Sequence, residues 1–265
     1  MAFWSSLGQT FFISLFSGQI RAALDLSHGD FGTYYALATT ASAISLIWLG
    51  KLADMMRLEK LAIFILGSLC VAAILFSQIS SLWMLVGGLY LLRMFGQGMM
   101  THVYTTAMAR RYVVTRGRAI SIAQLGHTLS ESIGPASIVA LQAVFDWRSL
   151  WIGLPFIAFL TLAPFLRLLT RRTRLQDGEG LDGLGANQPT PNLAFGGKKQ
   201  WRRSDVLRDP AFWLGFIWLA AVPSFVLTGL LFHQIYLAEA KGVALSTWTA
   251  SYVLYAVSAV IGSLT

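Results

Sequence analysis

Long apolar stretches separated by short polar turns run along almost the whole chain. A helix crossing a bilayer needs about 20 mostly apolar residues, because its backbone polar groups must pair within the helix. Eight stretches fit: 3–20, 31–52, 61–77, 82–108, 119–145, 147–169, 211–236 and 248–265. Aromatic residues gather near several of their ends (Trp83, Tyr112, Trp147, Trp151, Trp248), as in interfacial belts. The pattern predicts an all-α membrane protein, a polytopic bundle of transmembrane helices.

One connection breaks the rhythm. Residues 170–209 are polar and glycine-rich, with Pro189 and Pro191, and read as a cytoplasmic linker. The chain thus divides into a six-helix half (1–169), the linker (170–209) and the first two helices of a second half (210–265). Short matches across the linker support a repeat. Ser42-Ala43-Ile44 aligns with Ser258-Ala259-Val260, and Phe3-Trp4 with Phe212-Trp213. Such parallel halves are a transporter pattern. In this register the sequence is expected to be a piece of a longer protein.

Composition agrees with a lipid-facing exterior. Hydrophobic residues are 55% of the chain and charged ones 12%, against about 25% charged in soluble domains. The net charge of +8 is distributed unevenly. With loops 2–3, 4–5 and 6–7 on one side, that side holds sixteen of the twenty Lys and Arg residues. The other side has Arg21, Arg148 and Lys241, and Arg93 lies within a span. Basic loops mark the cytoplasmic face, so the excess reads as orientation and no nucleic-acid partner is expected. The basic linker ends are placed to meet anionic lipid. A single cysteine, Cys70, excludes an intrachain disulfide and a multi-cysteine metal site.

Polar residues inside the spans are the candidate chemistry. Arg93, Gln97 and Thr101 recur at four-residue spacing, forming a stripe in an α-helix. Gln124, His127 and Glu131 recur at three and four. Arg93 is the basic residue placed within a span and Glu131 the acidic one, so mutual neutralisation is the simplest expectation. A buried carboxylate beside an imidazole also suits proton exchange, and a structural pair filling a polar hole is the competing reading. Gln9, Ser14 and Ser17 in the first span, and His233 in the seventh, either line a cavity or bond between helices.

Several motifs carry a family resemblance. Gly50-Lys51-Leu52-Ala53-Asp54 resembles the loop 2–3 signature of the major facilitator superfamily, although Met55, Arg57, Leu58 and Glu59 depart from it. Arg93-Met94-Phe95-Gly96-Gln97-Gly98 is similar to its fourth-span element. Gly134-Pro135 resembles the kinked fifth-span element of its antiporters, without the flanking glycines, so antiport is not inferred. Asp146-Trp147-Arg148 resembles the turn opening its sixth spans. Residues 205–213 look like the entry to span 7 in monocarboxylate and oxalate/formate-type members.

The resemblance implies alternating access between two halves, and a secondary transporter of a small solute, with an organic anion attracted by Arg93. Protons or another coupling ion would pass by Glu131 and His127. The implied pathway is Arg93, Gln97, Gln124, His127, Glu131, Gln9 and His233. Gly50, Asp54 and Arg57 would form a cytoplasmic gate, with a helix kink at Gly134 and Pro135. No catalytic residue, metal or cofactor is implied. The expected setting is the cell membrane (the inner membrane if bacterial), with a monomeric transport unit. Other readings are a multidrug-type efflux antiporter and a non-transporting receptor on the same fold. A membrane metal enzyme using His102, His127, Glu131 and His233 lacks an accompanying motif. No phosphate-binding Gly-x-x-x-x-Gly-Lys loop is present for direct ATP coupling.

Overall fold

The computed structural model describes residues 1–112, 115–176 and 203–264. Most of the linker, including Lys198, Lys199 and Arg202, lies outside the described residues. Among the described residues every regular element is helical. Two compact units are present: residues 1–167 with 231–265, and residues 168–230.

The first span is not one helix. A 3-10 turn, Trp4–Gly8, ends at Gln9, whose backbone is extended (φ −88°, ψ 153°). The chain resumes as α1 (Thr10–Ile13), a second 3-10 turn (Ser14–Phe16) and α2 (Ser17–Leu24). Broken backbone of this kind is tolerated at membrane depth only where protein surrounds it. Residues 10–16 are indeed all buried.

Helix α3 (His28–Leu49) starts on a capping box. The Ser27 hydroxyl accepts from Asp30 N–H at 3.1 Å, and Asp30 accepts from Ser27 N–H at 3.1 Å. A short α4 (Leu52–Met55) leads to α5 (Leu58–Ser77), which is the more central helix. Of its most apolar window 56% is buried, against 17% for the span containing α3. Helix α6 (Leu82–Leu92) runs through a π-helical stretch, Arg93–Met100, into α7 (Thr101–Arg111). Then come α8 (Arg116–Gln142) and α9 (Trp147–Gln176).

Arg148 explains the turn before α9. Its guanidinium donates to the carbonyls of Ser77 (2.6 Å) and Ile79 (3.1 Å), satisfying acceptors left at the end of α5. It also lies over the Trp147 ring at 4.5 Å, and its N–H donates to Asp146 at 2.9 Å. Just beyond, Trp151 is fully buried against Phe12, Phe16 and Phe76, with ring centroids 4.8–5.4 Å apart. This aromatic cluster fixes the broken first span against α5 and α9.

In the 168–230 unit, α10 (Arg203–Arg208) is followed by a π turn, Phe212–Phe216, and the body of α11 (Ile217–Phe232). Asp209 accepts from Ala211 N–H at 3.0 Å, and Trp213 Nε1 donates to the Leu207 carbonyl at 2.9 Å. The end of α11 from Leu231, with α12 (Gln234–Ala240), α13 (Leu245–Ala250) and α14 (Tyr252–Leu264), belongs to the first unit. There α13 and α14 pack along α8.

Among the described residues five helices are long and apolar enough to cross a membrane: His28–Met55, Leu58–Ser77, Trp147–Leu166, Phe212–Phe232 and Leu245–Gly262. The other three expected spans are the broken first one, the α6–π–α7 path carrying Arg93, and the polar α8. Their departures from a plain apolar helix coincide with the buried polar residues described next.

Candidate functional site

The first and fourth spans cross at two glycines. A Cβ on Gly96 would lie 2.6 Å from the Cα of Gly8, so nothing larger than hydrogen fits either position without a shift. This approach brings the break at Gln9 within reach of Arg93. Arg93 Nη1 donates to the Gly8 carbonyl (3.3 Å) and to Thr10 Oγ1 (3.1 Å). Tyr35 from α3 completes the arrangement: its hydroxyl donates to Thr10 Oγ1 at 2.8 Å, and its ring lies 5.3 Å from the guanidinium carbon. Arg93 is only 5% exposed. Its Nε, and the Oε1 of half-buried Gln97, are buried without a hydrogen-bond partner in the protein.

The expected neutralisation of Arg93 by Glu131 is absent. Neither residue is in an ion pair among the described residues, where Arg110 pairs with Asp54 and Arg57 with Glu59. Neutral acceptors on the broken helix take the guanidinium instead, because a helix break frees carbonyls that an intact helix would have used. The stripe through Arg93, Gln97 and Thr101 also changes, since the π turn takes 93–100 out of the α register.

On α8 the predicted face is graded: Gln124 is exposed, His127 half-buried and Glu131 6% exposed. His127 packs its ring 5.9 Å from Phe11 and keeps a buried Nδ1 without a partner. No hydrogen bond or ion pair joins His127 to Glu131 among the described residues. The Glu131 carboxyl instead meets the Tyr255 hydroxyl of α14, with Tyr252 also close enough to feel its charge. Pro135 sits inside the continuous α8, and having no N–H it leaves the Glu131 carbonyl, four residues earlier, without that donor. Gly134 borders Ser130 and Phe11, where a Cβ would make ordinary contacts of 3.7 and 3.8 Å.

Between these two centres lies a side chain that sequence reasoning missed. Gln234, at the start of α12, is fully buried. Its Nε2 donates to the Phe11 carbonyl (2.8 Å) and to Ser14 Oγ (2.6 Å), and its Oε1 accepts from the Tyr252 hydroxyl (2.9 Å). Ser14 Oγ donates onward to the Leu231 carbonyl at 2.7 Å, and Trp248 Nε1 donates to the Tyr252 oxygen at 3.1 Å. An amide directly after His233, in an otherwise apolar run, was the signal available. His233 itself is exposed, lining a small cleft with Ser17, Arg21 and His28. Tyr35, Tyr252 and Tyr255 are likewise not among the polar residues that the sequence pattern singles out.

The loop 2–3 residues make contacts within the first half. Asp54 accepts from Arg110 of α7 at 2.6 Å, and the Gly50 carbonyl lies 3.0 Å from His102 Nε2. His102 therefore turns toward α3, away from Arg93. Arg57 makes a local 3.9 Å contact with Glu59.

The arrangement is a buried guanidinium and a buried carboxyl, unpaired with each other, on two helical stretches that both pack against the broken first span. Polar groups of this kind inside apolar helices mark solute and ion pathways. A sequence model of the Major Facilitator Superfamily matches residues 1–265. No curated protein and no solved structure matches the chain. The match covers every element described above, and the helical architecture and apolar spans agree with it, so the chain belongs to the Major Facilitator Superfamily, a family of multi-pass membrane transporters that carry small solutes.

Proposed function

We propose that this secondary transporter moves a small organic anion of the monocarboxylate class by alternating access, in exchange with or together with protons. The observation that carries the reading is Arg93. Its guanidinium is buried, held by neutral oxygens, and its Nε faces no protein acceptor. A carboxylate is the ligand whose geometry and charge suit such a group. Gln97, with its unpartnered Oε1, supplies a neighbouring polar contact that favours a hydroxyl or protonated oxygen.

Glu131 is the proton carrier in this reading. No cation compensates it among the described residues, so the charge it carries is set by proton binding. His127 and Gln124 lie outward along the same helix as a route toward it, and Gln9 contributes the backbone break. His233 stands at the cleft beside α2 and α3. Asp54 and Arg110 tie the loop after α3 to the end of α7, which suits Gly50, Asp54 and Arg57 to a cytoplasmic gate. The basic loops support a cytoplasmic setting for that side. Residues 1–169 belong to one half and residues 210–265 to the other, acting as a monomeric unit in the cell membrane.

Counterflow tests this reading. Proteoliposomes preloaded with unlabelled formate, acetate, lactate or oxalate are to exchange the labelled anion. Arg93→Gln is expected to abolish exchange, and Arg93→Lys to retain part of it because charge remains but the fork geometry is lost. Binding of these anions without counterflow would replace transport by a receptor role.

A further inference from the structure

Each flank of the broken helix is held by its own set of hydrogen bonds, and the covalent chain of residues 8–14 joins the two sets. On one side, Arg93 holds Gly8 and Thr10. On the other, Gln234 holds Phe11 and Ser14. Between them lies Gln9, with its extended backbone. The segment 8–14 is thus a short strap anchored at one end by the guanidinium and at the other by the amide.

The polarity of the amide is fixed. The Phe11 carbonyl can only accept, so Nε2 must face it, and Oε1 must then take the Tyr252 proton. The Tyr252 oxygen in turn receives the Trp248 N–H. Three residues on, one helical turn along α14, Tyr255 meets Glu131. An ionised Glu131 only accepts, whereas a protonated one also has a hydrogen to donate, so gain or loss of a proton changes the hydrogen bond offered to Tyr255 and the charge facing Tyr252. Of the two phenols Tyr252 is the one bonded to Gln234, and through it to the strap.

We propose that Gln234 is the positioning residue that transmits the proton state of Glu131 to Arg93 through the strap 8–14. This deepens the transport reading, since it takes Glu131 as the proton site and Arg93 as the anion site. The titratable groups facing Glu131 are Tyr252 and Tyr255 of α14, with His127 one turn away on its own helix. From α7, the cation Arg110 is paired with Asp54. Linkage requires the effect to be reciprocal, so an anion at Arg93 alters proton binding at Glu131 by the same factor.

The test reads Arg93 directly and needs no identified solute. The full chain, with isotope-labelled arginine, is titrated in detergent micelles by nuclear magnetic resonance, and the Arg93 Nε signal is assigned by its loss in Arg93→Lys. In the unmodified protein that signal is expected to move with pH along a single titration, and to stop moving in Glu131→Gln. In Gln234→Met, and separately in Tyr252→Phe, which keeps both the amide and the ring, the movement is expected to be lost while the signal remains dispersed. Gln234→Glu, which restores an acceptor for Tyr252, is expected to recover part of it. A purely structural role would lower thermal stability and leave the titration intact, and an undiminished titration in Tyr252→Phe overturns the proposal. An Arg93 signal indifferent to pH in the unmodified protein overturns it as well. Failure here leaves anion counterflow standing, and failure of counterflow leaves this titration standing, so the two outcomes are separable.

Discussion

Replacing Gly96 by alanine probes the contact on which the Arg93 site depends. The new Cβ would lie 2.6 Å from Gly8 Cα and 2.7 Å from Gly8 N. Both are backbone atoms, so no side chain can rotate out of the way. Ordinary van der Waals separation requires the two segments to part by about 1 Å. Overpacking of this kind costs about 1–3 kcal/mol. The Arg93–Gly8 hydrogen bond is already 3.3 Å long, and such a displacement takes it out of range. Losing a hydrogen bond from a charged donor adds about 1.5–3 kcal/mol. The total expected destabilisation is about 2.5–6 kcal/mol. Gly67→Ala is the matched control, because a Cβ there meets nothing within 4 Å; it should be neutral or stabilising by up to about 1 kcal/mol. Thermal unfolding in a mild detergent, followed by intrinsic fluorescence, compares the two variants. Equal melting temperatures for Gly96→Ala and Gly67→Ala would refute the close crossing and, with it, the position assigned to Arg93.

Truncating Trp151 to alanine empties the centre of the cluster formed with Phe12, Phe16 and Phe76, and is expected to cost about 3–5 kcal/mol in the same unfolding assay. The Asp54–Arg110 pair should behave oppositely. Its side chains are 75% and 33% exposed, so a double-mutant cycle with Asp54→Asn and Arg110→Gln should give a coupling below about 1 kcal/mol, falling further with added salt.

The sequence was most readable where chemistry and location were both unusual. An arginine, a glutamate and a histidine inside apolar runs announced themselves, and the structure finds Arg93 and Glu131 buried. The class of fold followed from the repeated apolar stretches. The Trp147-Arg148 turn also had a local meaning, later explained by the α5 carbonyls that Arg148 satisfies. Pairing was harder. Mutual neutralisation of Arg93 and Glu131 assumed two intact helices facing one another. The break at Gln9 offered carbonyl and hydroxyl oxygens to Arg93 instead, and no local pattern in the run around Gly8 and Gln9 marks an extended residue. The π turn after Leu92 was equally hidden, since its i→i+5 bonding changes the face on which Gln97 falls. Gln234 needed tertiary information, because its partners Phe11 and Ser14 lie more than two hundred residues away in sequence. Tyrosines were the residues most easily misread. In a membrane protein they serve at interfaces, yet Tyr35, Tyr252 and Tyr255 here meet buried polar groups.

Proton exchange at Glu131 is the step on which coupled transport depends most directly. The decisive measurement is the pH dependence of anion uptake into proteoliposomes for the unmodified protein and for Glu131→Gln, using whichever monocarboxylate exchanges fastest in counterflow. Uptake by the unmodified protein is expected to change with pH, and Glu131→Gln to bind the anion while its residual exchange no longer responds to pH. An identical pH profile in the two proteins would contradict the central claim.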